Sequence, residues 1–513
     1  MLERLQRSFG CDLRTLALFR INLGLLIIVD LLLRSRDFRL HYTDGGVLPR
    51  GELLQTLNYW GPSLHYIHGS AVVQSILFVI AGVLALGLIA GYRTRLMTLL
   101  CWVMLLSLHN RNIWILQGGD YLLLLLLFWG MFLPLGARFS VDQALSQSGP
   151  AKDHRFVSMA TIALLIQCMC VYFFSAFLKD APSYVPDGTA VYEALQLETY
   201  STALGGWLLN FPTLLEGLTI YVWYLELLGP ILIFTPFFFL PTRLALQFMF
   251  ITMHIGFLLF LEVGFFPYIS IVSLLTFTPR EVWDWLGQKL ERGGSRPFTV
   301  YYDGGCDFCR KLCLLLRTFL VLPGMKLMPA QDDERANAIM QEHVTWVVVD
   351  PEGVEHTKFD AVRYLVSLSP VFFWVGKLMP RKPKLEMRFY DWVGANRKRF
   401  SRFSARWLPY RDNSFSNTWL STIAVGILLL IILRGNLASI DINLPQPSAA
   451  RDVYRSLRLY QNWNMFAPKP MGSDYFLIPV GTLNNETFTS ERGSRIEEPY
   501  FGKPNDARGF YPN

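Results

Sequence analysis

Three of the seven cysteines fall within one short stretch, "YYDGGCDFCRKLC", Tyr301 to Cys313. Cys306 and Cys309 have the C-x-x-C spacing. That spacing serves two chemistries, a dithiol–disulfide redox pair or one half of a zinc site. The pair follows the strand-like "FTVYY" and a tight "DGG" turn, and it opens a helix. A thiolate at a helix start is stabilised by the helix dipole and by free backbone N–H groups. Cys306 lies closest to that start and is the candidate nucleophile. Cys309 is one turn on, within reach to resolve a mixed disulfide. Cys313 shares the helix face of Cys309 and can exchange with it or pack. A zinc site needs a second ligand pair, and the nearest histidines, His343 and His356, lack paired spacing. Inert thiols are the remaining alternative. They are the default for Cys11, Cys101, Cys168 and Cys170, which lie in or beside apolar segments.

A second group of candidates sits in apolar surroundings. Arg20 and Asp30 lie near opposite ends of the first apolar run. Lys179 closes "VYFFSAFLKD", Glu226 is within "YLELLGP", and His254 is within "ITMHIGF". A charge at the centre of a bilayer costs roughly 3 kcal/mol or more, so each needs a role. Arg20, Asp30 and Lys179 can snorkel to the interface. Glu226 and His254 are expected to pair with each other or with polar helix neighbours.

The elements that position these groups are mostly membrane helices. Of 513 residues, 52% are hydrophobic and 17% charged, with a mean hydropathy of +0.31. Soluble chains carry about a quarter charged residues. The expected fold is an α-helical polytopic bundle in a lipid bilayer, with a small thioredoxin-like α/β domain attached. Spans need roughly 20 apolar residues. Eight are read at about 16–33, 71–91, 95–109, 120–136, 157–178, 214–240, 243–262 and 265–278, and a ninth at 416–433. The first apolar run lacks a small-residue cleavage site and reads as a retained helix.

The net charge of +7 gives little reason to expect a nucleic-acid partner, because the basic residues cluster beside apolar segments, where they set topology. With Arg4, Arg7 and Arg14 cytoplasmic, alternate crossings put Arg93, Arg95, Arg138, Lys152, Arg155, Arg243, Arg280, Lys289 and Arg292 on the same side. Arg34, Arg36, Arg39 and Arg50 are the exception. "ERGGSRP" reads as a linker. Residues 297–400 alternate strand and helix, with "TWVVVD" as a second strand and "AVRYLVSL" as a second helix. The basic block "RKPKLEMRFYDWVGANRKRFSRFSARWLPYR" is expected at the cytoplasmic face, against anionic headgroups. The tail, 435–513, is expected outside the cell membrane, where "NET" at Asn485 matches a glycosylation acceptor, a match common by chance.

"VYYDGGCDFCRKLC" resembles the signature of the DCC family, thioredoxin-like proteins described as thiol–disulfide oxidoreductases; its Asp, Cys and Cys fall on Asp303, Cys306 and Cys309. The resemblance implies redox turnover with a thiol-bearing partner and a cis-proline facing the thiols, for which Pro329 is the candidate. "FRINLGLLIIVDLLLRSRDF…YTDGGVLP", "SLHNRNIWILQGGDYLLLLLLFWGMFLPLG" and "VYFFSAFLKDAPSYVPDGTAVYEAL" resemble the horizontally transferred transmembrane (HTTM) domain, over residues 10–286. That domain is shared with vitamin K-dependent γ-carboxylase, and "QNWNMFAP" is similar to what often follows it. The resemblance implies a quinone-like cofactor, with Lys179 as a general base on the outer side. Protein γ-carboxylation is not implied, since the large substrate-binding part of the carboxylase is replaced by a short tail. Two functions follow: a membrane-bound redox or carboxylase-like enzyme with a cytoplasmic thiol–disulfide module, or a non-enzymatic maturation or export factor. A transporter is the weaker third, for want of an internal repeat of broken helices.

Overall fold

The structure is a computed structural model that describes residues 2–56, 61–149, 153–290, 296–343, 345–380, 384–412, 415, 418–471, 480–483 and 486–489. Most of "ERGGSRP", and Asn485 with its acceptor match, lie outside the described residues.

The first eight apolar segments are all helical: α1 (Leu13–Ser35), α2 (Ala71–Ala90), α3 (Thr94–Arg111), α4 (Gly118–Gly130), α5 (Met159–Leu178), α6 (Pro212–Leu232), α7 (Phe239–Phe260) and α8 (Phe266–Leu275). They are not alike. Among the described residues, α1, α2, α5, α6, α7 and the later Trp419–Ser439 are long and apolar enough to cross a membrane, which makes six. α4 and α8 have 13 and 10 residues. At 1.5 Å per residue they reach about 20 and 15 Å, less than the ~30 Å of hydrocarbon. α4 is buried on every side from Leu122 to Gly130, as a helix apolar all round should be. α3 has 18 residues but polar ends, Thr94-Arg95 and His109-Asn110-Arg111.

The sixth segment, expected to run to residue 240, stops at Leu232. Pro236 disfavours helical geometry at Thr235, and Phe238 takes a left-handed φ of 47°, so the chain turns before α7 begins.

Local chemistry sets the helix starts. The Asp12 carboxylate accepts the Arg14 N–H at 2.8 Å before α1, and Ser158 and Thr161 form a capping box before α5. α2 ends on Gly91 at φ 65°, where a Cβ would come within 2.6 Å of both Ser140 and the Arg20 guanidinium. Arg20 finds its partners within the protein. It is fully buried and donates to the carbonyls of Ile89, Leu135, Arg138 and Phe139 at 2.7–3.2 Å. Those carbonyls lie at helix ends and turns, where intrahelical partners run out. Arg243 serves Ser8 and Phe277 in the same way. The outer faces keep Val72, Val79, Val83, Phe248 and Ile231 exposed, as a lipid-facing surface requires.

The α/β module begins with β1 (Phe298–Tyr302), then α9 (Asp307–Phe319), β2 (Met325–Pro329), β3 (Val347–Val349), β4 (Glu355–Thr357), α10 (Lys358–Leu368) and α11 (Arg397–Trp407). Strand order is β2-β1-β3-β4. β1 and β2 run parallel through α9, and the other pairings are antiparallel. Phe298, Val300, Met325, Val348, Leu365 and the Cys313 side chain form its core.

α12 (Trp419–Ser439) returns to pack against α5. The module and the tail meet opposite ends of the bundle. At the α2–α3 turn, Tyr92 donates to the Trp407 carbonyl at 2.8 Å, and nearby Gln147 and Arg411 pair backbones. At the far end of α3, Asn110 accepts from Arg458, and Tyr184 donates to the Phe466 carbonyl at 2.7 Å.

Candidate redox and intramembrane sites

β1 delivers the chain to the "DGG" turn, which a set of hydrogen bonds holds in place. The Cys306 amide donates to the Asp303 carbonyl at 2.9 Å, and Gly305 N–H donates to the Asp303 carboxylate at 3.0 Å. Gln331 receives the Gly304 N–H at 3.0 Å and donates to Asp303 at 3.2 Å. The second Asp303 oxygen is paired with Arg397 of α11 at 3.0 Å. A Cβ on Gly304 would sit 2.8 Å from the Gln331 oxygen, so a larger residue there would displace the Gln331 side chain from the turn.

Cys306 is the N-cap of α9, and its Sγ accepts the Cys309 N–H at 3.4 Å and the Cys309 thiol at 2.8 Å. The hydrogen bond from the Cys309 thiol is the main reason the Cys306 pKa falls to about 6, against the opposing effect of burial. The Cys309 amide and Arg397 add to the lowering, and Asp303 works against it. Cys309 moves the other way, because a thiol that donates to a thiolate and is itself half-buried holds its proton. The site therefore contains a thiolate and a proton-bearing thiol in contact, the division of labour a redox pair needs. Cys313 is 1% exposed in the module core, and burial pushes its pKa up to about 12. It packs, the second of the two roles open to it.

His356 is stacked on Tyr364 and paired with Asp360 at 2.7 Å. Among the described residues no third ligating side chain joins the thiols. Pro329 does end β2 beside the turn, but its peptide bond is not cis, contrary to the expectation. The basic block is in part a structural support. Arg397 holds Asp303, Phe400 stacks on Phe308 at 5.3 Å, and the Ser404 carbonyl accepts from Lys311 at 3.3 Å.

Within the bundle, Lys179 and Glu226 find each other. Lys179 caps α5, Glu226 projects from α6, and Nζ–Oε2 is 2.6 Å with both residues buried. Trp223 donates to the Lys179 carbonyl at 3.2 Å, and the Tyr184 ring lies 5.6 Å from Nζ. Lys179 is thus partnered within the protein, and Glu226 pairs with it rather than with His254. His254 pairs instead with a polar helix neighbour, the Tyr172 hydroxyl, at 2.8 Å. Phe250 packs on Tyr172 with ring centroids 4.4 Å apart and lies against Gly229, one turn from Glu226, so the two pairs share one packed wall.

Asp30 is also buried. Arg34 binds it at 2.9 Å, bridges to Asp120 and donates to Tyr42 at 3.0 Å. His109 Nε2 lies 3.6 Å from Asp120. Asp30, His109 and Asp120 offer ligand atoms within 4.8 Å of one another, but the Arg34 guanidinium supplies the cation there. Asp120 was legible only as a helix-start residue in "QGGD", and Tyr172 only as an aromatic in an apolar run.

The tail closes the same end of the bundle. Gln461 and Gln167 exchange hydrogen bonds at 2.8 and 3.0 Å, and Trp463 donates to Asn436 at 3.1 Å.

The family model described as a DCC1-like thiol-disulfide oxidoreductase matches residues 300–403, and that of the HTTM domain matches residues 10–285. No curated protein and no solved structure matches the chain. With more than half its length matched, this chain belongs to the HTTM-domain family, here carrying a DCC1-like module.

Proposed function

We propose that this protein is a membrane-bound oxidoreductase whose α/β module exchanges thiols with a protein partner on the cytoplasmic side. One observation carries the reading: the Cys306 sulfur caps α9 while accepting the Cys309 thiol at 2.8 Å. The Cys306 thiolate attacks one sulfur of a partner disulfide. That S–S bond breaks, and the other partner sulfur leaves as a thiolate. Cys309 then loses its proton to the departing sulfur and attacks Cys306. The second partner sulfur is released, the partner gains two electrons, and Cys306–Cys309 becomes the disulfide. A soluble dithiol of the reducing cytoplasm returns the module to its starting state.

The bundle contributes a second centre. Lys179 and Glu226, walled by Tyr184 and Trp223, suit a planar quinone-like molecule by the neighbouring aromatic surface and by their own hydrogen bond. Such a cofactor supplies reversible two-electron chemistry when bound. Lys179 Nζ donates to Glu226 Oε2 at 2.6 Å, and both residues are buried. His254 and Tyr172 position the wall behind Glu226. Because the module and Lys179 lie toward opposite ends of the bundle, thiol electrons do not pass to this centre directly.

The test is mixed-disulfide trapping. A Cys309→Ser variant should retain a partner through Cys306, releasable by reductant, and Cys306→Ser should retain none. Equal DTNB-reactive thiol in reduced and oxidised preparations would sink the thiol reading. Reporters fused after residues 290 and 440 should give opposite sides, the first cytoplasmic.

A further inference from the structure

At the end of the bundle away from the module, α12, the α3–α4 loop and the tail enclose a cleft of about 670 Å³. Arg434 comes from α12, Arg455 from α13 (Ser448–Ser456), and Arg458 from just beyond. Of the described residues lining it, none is Asp or Glu. Arg458 is only 7% exposed, and its guanidinium donates to neutral acceptors, Asn110 Oδ1 and, at 3.1 Å, the Tyr460 hydroxyl. Arg434 likewise donates to the Leu444 carbonyl at 2.9 Å and the Gln446 amide oxygen at 2.7 Å. A buried cation served by neutral acceptors is costly until an anion joins it.

The surroundings indicate where that anion comes from. Leu420, Ile423, Ile427 and Leu430 are all more than half exposed on α12. They follow helical spacing, and the next position on that stripe is Arg434. The apolar stripe therefore runs into the cleft. Trp114, 76% exposed, stands at the cleft as an aromatic of the membrane boundary does.

We propose that this cleft binds the phosphate of an anionic phospholipid, with its acyl chains along the exposed stripe of α12. Guanidinium groups match phosphate oxygens in pairs, and a zwitterionic headgroup would bring a quaternary amine against three arginines.

Native mass spectrometry of the full-length protein in detergent tests this, with phosphatidylglycerol, phosphatidylcholine or inorganic phosphate added. One phosphatidylglycerol should be held about tenfold more tightly than phosphatidylcholine, as expected for charge-assisted hydrogen bonds. The preference should fall to near parity in the Arg434→Gln/Arg455→Gln pair, with Cys306 alkylation unchanged as the folding control. If that pair fails to fold, the exposed Arg455→Gln alone should show a partial loss. Equal retention of both lipids by the native protein overturns the proposal, as does an undiminished preference in the variants. Phosphate competing as well as phosphatidylglycerol also overturns it, and makes the cleft a site for the free ion.

Discussion

The thiol pair and the Lys179–Glu226 pair both place two ionisable groups in contact, but they are built differently. Cys306 and Cys309 lie on one turn of one helix, so the chain that makes the turn also tunes the thiolate. Lys179 and Glu226 come from two helices and meet only when α5 and α6 pack. The first is a local device within one turn of the module, where altered chemistry need not alter the fold. The second is a tertiary device in which chemistry and packing are the same contact.

Breaking the second pair should have the largest effect. Lys179→Ala or Glu226→Leu leaves a buried charge alone and should cost about 3–5 kcal/mol, read as a lowered Tm in detergent. Lys179→Met with Glu226→Leu should recover most of that loss. If the double variant is stable yet inactive in any assay of the protein, the pair is chemical as well as structural.

Next is Cys306→Ser, which should abolish disulfide exchange while changing stability by about 1 kcal/mol, as expected where no cavity or unpaired charge is created. Smaller is the effect on titration. Iodoacetamide labelling of Cys306 should rise with a midpoint near pH 6. Cys309→Ala should move that midpoint up toward the free value of roughly 8.5, since the Cys309 thiol is the main lowering influence. The sign for stability follows from a folded pKa below the unfolded one. The contribution is full above roughly pH 8.5 and is lost as pH falls through 6. Smallest is the turn itself: Arg397→Gln should raise the midpoint and Asp303→Asn lower it, each by about half a unit, because that pair is partly exposed. If Arg397→Gln matched Cys309→Ala, the thiolate would depend on tertiary charge after all, and the contrast between the centres would narrow.

The thiol site was legible because its geometry is sequential: strand, turn and helix start follow one another in the chain. Arg397 was not, because α11 reaches Asp303 from almost a hundred residues away and its composition reads as a headgroup-facing patch. β2 escaped notice because "MKLMP" alternates weakly and ends in proline, which only an edge strand tolerates. In the bundle, apolar runs located the helices, and charges inside them marked places needing partners. Which charge took which partner depended on helix rotation and neighbours, so Glu226 went to Lys179 rather than His254. Arg20, Asp30 and Lys179 each have carbonyls or an opposite charge within reach inside the bundle, partners that the apolar runs alone did not reveal.

The return of α12 against α5 has a consequence for synthesis. Residues after α8 and before Trp419, which include the whole module, must be made before the surface of α5 is covered. At 5–20 residues per second that interval is on the order of 10 s. During it the half-built bundle keeps α5 open to lipid or to a helper protein. Only when the tail follows, with Gln461 reaching Gln167 and Phe466 reaching Tyr184, does the membrane part close. A ribosome that stalls within the module leaves an unsealed bundle, which exposes the incomplete product to proteolysis.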